Sequence, residues 1–256
     1  MIEGLAAASL GIAVAIIVYL YRKGLQQEGH LATALQRLEA LQASFSRFAP
    51  EGLVDDIVAQ GVSVEATKRE VTILFADVQG FTAMSERLDP SELVDVLNGY
   101  FRAMSVAITD HNGHVSKFIG DGILAVFGAL QTNPWQAKDA VDAALAMRLG
   151  LERYNDVLRE RGRVPLAIGI GIHKGEVVAG VIGSAQLLEY TVIGDSVNTA
   201  SRVEGLTRTH GVDILVTESV RGGLSKLYAT RELPPVKVKG KAAPIITFAV
   251  DAGPPG

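Results

Sequence analysis

The chain has 256 residues, 48% hydrophobic and 20% charged, enough for one domain of about 150 to 200 residues and an appendage. Its 24 basic and 28 acidic side chains leave a net charge of -4, with no basic surplus to neutralise the phosphates of a nucleic acid. The apolar content excludes a disordered chain, and zero cysteines exclude disulfides, thiolate metal sites and a cysteine nucleophile.

Residues 1–23 read as a membrane anchor. Gly4 to Tyr21 carries no charge over 18 residues, which as a helix spans roughly 27 Å against a hydrocarbon core of about 30 Å. A cleaved signal peptide is the rival reading, but Glu3 precedes the apolar run while Arg22 and Lys23 follow it. Positive charge stays on the cytoplasmic side, so everything after Arg22 is expected in the cytoplasm, as a single-pass protein of the cell (inner) membrane. Ala7, Gly11 and Ala15 recur every four residues, a spacing that lets two such helices pack and also arises by chance in alanine-rich spans.

Residues 24–60 read as a helical connector. Leu31, Leu38 and Phe45 occupy one position of a seven-residue grid, and Ala34, Leu41 and Phe48 another. That is a parallel coiled-coil pattern, short enough that a single amphipathic helix lying on the domain competes with it. Pro50 ends the helix, Leu53 to Val58 suggest a short second one, and 61–69 form a linker.

The main domain, 70–251, alternates strands and helices before a tail at 252–256. Val71 to Val78 is a β-branched and aromatic strand, and Asp89-Pro90-Ser91-Glu92 starts a helix to about Asp110. Val115 to Ile119 and Ile123 to Phe127 flank Gly120-Asp121-Gly122 as a hairpin. Asn133-Pro134 caps a helix to about Arg161, and Leu166 to Ile172, Glu176 to Ile182 and Leu188 to Ile193 read as three strands. Asp195 caps a helix through about Thr207. Strands are then expected at Ile214 to Val216, Tyr228 to Arg231, Val236 to Val238 and Ile245 to Val250. The order βαββαβ predicts an α+β, ferredoxin-like sandwich with an antiparallel sheet and helices on one face.

Asp77 ends an apolar strand and is followed by Gln79-Gly80-Phe81-Thr82, a loop able to aim backbone N–H groups at an anion. Asp121 at the hairpin tip lies beside it if the two strands are neighbours. Two hard carboxylates suit Mg²⁺ or Mn²⁺; taken alone, two aspartates at strand ends are more often turn formers or helix caps. Asn198 and Arg202, at i and i+4, share a helix face that is either solvated or a polar clamp.

Four segments carry a resemblance. FADVQGFT (75 to 82), KFIGDGILAVFG (117 to 128), EYTVIGDSVNTASRVE (189 to 204) and VKGKAAP (238 to 244) resemble, in this order, signature segments of the class III nucleotidyl cyclases. The resemblance covers about 70 to 250 and implies a head-to-tail homodimer with each active site shared between protomers. It implies that Asp77, Asp121 and the Val78 carbonyl hold two Mg²⁺ or Mn²⁺ ions, and that amides of Gln79, Gly80, Phe81 and Thr82 cradle phosphates. Asn198 matches the residue that orients the ribose and Arg202 the one that stabilises charge on the α-phosphate. Lys239 matches the phosphate lysine, with Lys241 two residues away as the other choice. Glu176 stands where some family members have an arginine facing phosphate.

The resemblance also assigns the base. Lys117 and Thr191 match the purine-reading positions, and lysine with a hydroxyl suits adenine: the lysine donates to N1, and the threonine oxygen accepts from the 6-amino group. Because a hydroxyl can also donate, some use of GTP stays open. The implied activity is an adenylyl cyclase making cyclic AMP and pyrophosphate from ATP; the alternative is a membrane-tethered dimerisation or nucleotide-sensing module without catalysis.

Overall fold

The computed structural model describes residues 21, 23, 34–40, 66–184, 188–237 and 244–253. The chain divides into two units, Met1–Gly61 and Val62–Gly256. In the first, residues 34–40 are helical and exposed, including the grid positions Ala34 and Leu38. Leu31, Leu41, Phe45, Phe48 and all of the expected anchor except Tyr21 and Lys23 lie outside the described residues. Among the described residues, no helix is long and apolar enough to cross a membrane.

The second unit is built on β1 (Thr67–Val78), which begins inside the stretch read as linker. It is followed by α1 (Phe81–Ser85), α2 (Pro90–Thr109), β2 (Gly113–Ile119), β3 (Gly122–Phe127), α3 (Gln136–Glu160), β4 (Ile168–Gly183) and β5 (Leu188–Ile193). Then come α4 (Asp195–His210), β6 (Ile214–Thr217), α5 (Glu218–Arg221), β7 (Ala229–Val236) and β8 (Ile245–Ala252). The strand order is β2-β3-β1-β4-β6-β8-β7, with β5 paired to β4. The β2-β3-β1-β4 part is the ferredoxin-like arrangement expected from βαββαβ, and β1 pairs antiparallel with both β3 and β4. The sheet is not wholly antiparallel, because β6 runs parallel to β4.

β1 is central and apolar on both faces, as a strand covered on both sides must be. Leu74, Ala76 and Val78 face a core with Tyr100, Met104 and Ile108 of α2 and Met147 of α3. Val71 and Ile73 face the opposite way, with Val177, Val192 and Ala200 of α4. Helices therefore cover both faces, which corrects the expectation of one. The reason lies in β4, whose Ile-Gly-Ile-Gly-Ile run (168 to 172) puts isoleucines on the α2/α3 side and bare backbone on the other. A Cβ on Gly171 would sit 2.1 Å from the Glu204 backbone nitrogen, and one on Gly169 2.3 Å from Thr207 Oγ1. α4 thus lies directly against the strand, burying Ala200, Val203 and Leu206.

Three further expectations change. β4 is one strand of 16 residues instead of two. His173, Lys174 and Gly175, read as a break, keep pairing with Ile73, Thr72 and Val71, so the ladder crosses the polar stretch. β7 likewise runs unbroken across Pro234 and Pro235, with its register shifting between Leu233 and Val236; prolines that cannot donate are tolerated on a sheet edge. Gly194, not Asp195, is the N-cap of α4, and Asp195 is its first helical residue. Asp89 does precede Pro90 at the start of α2, although its side chain makes no capping hydrogen bond.

Gly171→Ala should destabilise the domain by about 2 kcal/mol or more, since its new methyl meets helix backbone that cannot rotate away. The denaturant midpoint measures this. His114, half-buried on edge strand β2, is pushed by burial from 6.5 down to about 4. As the pH falls between these values the unfolded chain takes up a proton that the folded chain refuses, so stability is lost across that window. His114→Gln should flatten that part of the curve of thermal midpoint against pH.

Candidate active site

The site starts at the end of β1. Asp77 pairs in register with Gly169 of β4, and because Ala76 pairs with Ile123 of β3, the β2–β3 turn is brought alongside it. Gly120 takes a left-handed φ of 63° in that turn, which delivers Asp121 to Asp77. The two carboxyl groups are close enough to perturb each other, and the Val78 N–H donates to Asp121 Oδ2 at 3.3 Å. The neighbourhood that the sequence left conditional is therefore present. Asp121 is pushed up to about 6, first by burial and next by its contact with Asp77.

A cation from α4 closes the pair. Arg208 donates from Nη2 to Asp77 Oδ2 at 2.7 Å, and its Nη1 lies 3.5 Å from Glu204 Oε1. Glu204 is pushed up to about 7 by burial, against the pull of Arg208 and with the push of Asp77 and Asp121. Tyr100 on α2 is also pushed up, by burial first and then by the charges of Asp77, Asp121 and Glu204. The sequence reading passed over Arg208, Glu204 and Tyr100. Glu204 and Arg208 form an i, i+4 acid–base pair that helix spacing could have revealed. The link from Arg208 to Asp77 joins residues 131 apart and has no local signature.

After β1 the chain turns at Gly80, whose φ of 73° makes it the left-handed N-cap of α1. Gln79 must be removed from the expected phosphate cradle, because its N–H already donates to the Ala167 carbonyl at 2.8 Å and its side-chain amide to the Ile168 carbonyl at 3.4 Å. Gly80 and Thr82 are exposed, and Phe81 packs partly on the core.

The residues expected to read the purine stand on different strands. Lys117 of β2 donates from Nζ to Glu189 Oε2 of β5 at 2.8 Å. Thr191 is two residues beyond Glu189 and so on the same side of β5, 8% exposed. The Tyr190 hydroxyl donates to the Ala129 carbonyl at 3.1 Å, tying β5 back to the end of β3. Glu189 is a further residue that the sequence reading did not single out for itself.

Asn198 is exposed, and Arg202 has Nη1 3.9 Å from Asp195 Oδ1. They precede Arg208 by ten and six residues on α4, roughly 15 Å and 9 Å along the helix. Within one chain the structure therefore does not bring them to Asp77 and Asp121. Lys239 and Lys241 lie outside the described residues. Among the described residues, no three His, Asp or Glu side chains converge as a metal cluster. The acidic set at the end of β1 is the pair Asp77 and Asp121.

Residues 63–252 match the family described as the adenylate and guanylate cyclase catalytic domain. The chain belongs to this family. The cyclase domain has relatives among curated proteins, including an adenylate cyclase of Anabaena cylindrica, 39% identical over 233 residues, 87% of this chain and 45% of that protein. Adenylate cyclase 1 of Rhizobium meliloti is 32% identical over 219 residues, 85% of this chain and 33% of that protein. The chain thus spans less than half of either relative. Among solved structures, the adenylyl cyclase CyaB from P. aeruginosa matches with a TM-score of 0.70 and 30% identity, covering 74% of this chain and 97% of that one. A guanylyl cyclase crystal structure matches with a TM-score of 0.67 and 36% identity, covering 74% and 95%.

The cyclase domain's Lys117–Glu189 pair is partly exposed, 29% and 47% at the side chains. An ion pair so placed contributes at most about 1 kcal/mol. Glu189→Gln should therefore move the unfolding free energy by less than about 1 kcal/mol, as measured by urea denaturation, leaving any effect on nucleotide choice to be read separately.

Proposed function

We propose that the chain is an adenylyl cyclase that converts ATP to 3',5'-cyclic AMP and pyrophosphate in a homodimer whose two sites are each shared between protomers. Asp77 and Asp121 fit a divalent cation, since they are neighbouring hard carboxylates, one of which, Asp77, already draws a guanidinium to itself. With the Val78 carbonyl they would hold two Mg²⁺ or Mn²⁺ ions. Such ions supply Lewis-acid activation of the ribose 3'-hydroxyl and offset charge on the triphosphate.

The chain's own residues do the rest. Backbone N–H groups of Gly80, Phe81 and Thr82 receive the terminal phosphates. Asn198 and Arg202 act on the site of the partner protomer, Asn198 orienting the ribose and Arg202 offsetting charge at the α-phosphate. Their separation along α4 from the Asp77 site of their own chain supports the shared arrangement. Lys239, or Lys241, neutralises phosphate.

The observation that carries the choice of adenine is Lys117 held by Glu189 on the side of β5 that carries Thr191. An ammonium anchored by a carboxylate is held in one direction, from which it donates to the unprotonated N1 of adenine, while the Thr191 hydroxyl accepts from the 6-amino group. We further propose that residues 1–23 anchor the protein in the cell (inner) membrane with the catalytic domain in the cytoplasm. The connector 24–60 then pairs two chains, raising the effective concentration of one domain near the other.

The purified full chain should form cyclic AMP from ATP with Mg²⁺ or Mn²⁺, and less cyclic GMP from GTP. Asp77→Ala should lower the rate on the order of 100-fold or more. No product from either nucleotide, with a folded dimer verified, would favour the non-catalytic module. Asp77→Ala and Arg202→Ala chains, each inactive alone, should regain activity when mixed. No recovery in a confirmed heterodimer would count against shared sites.

A further inference from the structure

We infer that Arg208 is a displaceable counterion of the metal-binding carboxylates, so that loading the site exchanges a guanidinium for a divalent cation at Asp77. The inference rests on the metal reading of Asp77 and Asp121 given above. Its basis is the position of one side chain between two carboxylates: Nη2 is 2.7 Å from Asp77 Oδ2, and Nη1 is 3.5 Å from Glu204 Oε1.

The two partners differ in a way that makes release feasible. The Asp77 side chain is 35% exposed and that of Arg208 44%, so their pair is open to water and weak for its distance. The Glu204 side chain is 9% exposed, and its Oε1 accepts no hydrogen bond. A buried carboxylate with an oxygen left over is a resting place for a guanidinium that has let go of Asp77. Glu204 and Arg208 sit one turn apart on α4, so this swing keeps Arg208 over its own helix and needs no backbone movement. The exchange also keeps charge matched. Without a divalent cation, Arg208 relieves the repulsion between Asp77 and Asp121; with one bound, Arg208 is left to Glu204.

A fixed structural ion pair and a displaceable one predict different metal affinities. The test is Mn²⁺ binding to the full chain without nucleotide, followed by the EPR signal of free Mn²⁺, beside thermal unfolding with and without Mn²⁺. Arg208→Gln removes the competitor and should tighten Mn²⁺ binding about five- to tenfold, lower the midpoint without metal, and enlarge the rise on adding Mn²⁺. Arg208→Lys, which keeps the charge but loses the fork, should tighten binding about two- to threefold. Equal or weaker Mn²⁺ binding by a folded Arg208→Gln chain would overturn the exchange. If that variant does not fold, unchanged affinity in Arg208→Lys would do the same. Asp77→Asn separates the two ideas. Its loss of Mn²⁺ binding, with no tightening in the Arg208 variants, sinks the exchange alone, whereas parental Mn²⁺ affinity in Asp77→Asn sinks the metal reading with it.

Discussion

The close approach of α4 to β4 is the constraint on which the site depends. A helix can lie against a strand at this distance only where the strand lacks side chains, and Gly169 and Gly171 supply that gap beneath Thr207 and Glu204. The contact does more than fill a face of the sheet. It holds the last turns of α4 beside Asp77, so that a helix and a strand distant in sequence meet at one carboxylate. The isoleucines that alternate with those glycines bury the opposite face against α2 and α3, and one five-residue run thereby fixes both layers.

Around that contact the domain keeps an uneven balance of charge. One guanidinium touches Asp77 and lies beside Glu204, Asp121 neighbours Asp77, and burial raises both Asp121 and Glu204 above the usual carboxylate range. Such crowding is costly in a site with a structural role only, because like charges in a poorly solvated place favour neutral forms. It suits a site that receives positive charge. The side expected to read the purine follows a different logic, with Lys117 and Glu189 joining the β2–β3 hairpin to β5 while remaining partly exposed.

Local chemistry carried much of this into view. Asp89-Pro90 marks the start of α2, the Gly-Asp-Gly tip marks the hairpin, and alternating or continuous apolar runs mark β1, β3 and β8, because each signal acts over a few residues. The errors share a cause. The polar stretch His173 to Gly175 ends no strand because β1 supplies its hydrogen-bond partners, and Gln79 offers no amide because Ala167 takes it. In each case a partner far along the chain decides the outcome.

By itself the sequence determined the family, the two carboxylates, the lysine and threonine expected to read a purine, and the βαββ order of the elements that carry the carboxylates. These are matters of residue type and short spacing. The tertiary structure alone decided that α4 covers the second face, that Arg208 rather than Arg202 meets Asp77 within one chain, and that Lys117 is held by Glu189. The reason is physical: an ion pair between residues 131 or 72 positions apart exists only once the sheet order has brought their elements together, and no periodicity along the chain encodes that distance.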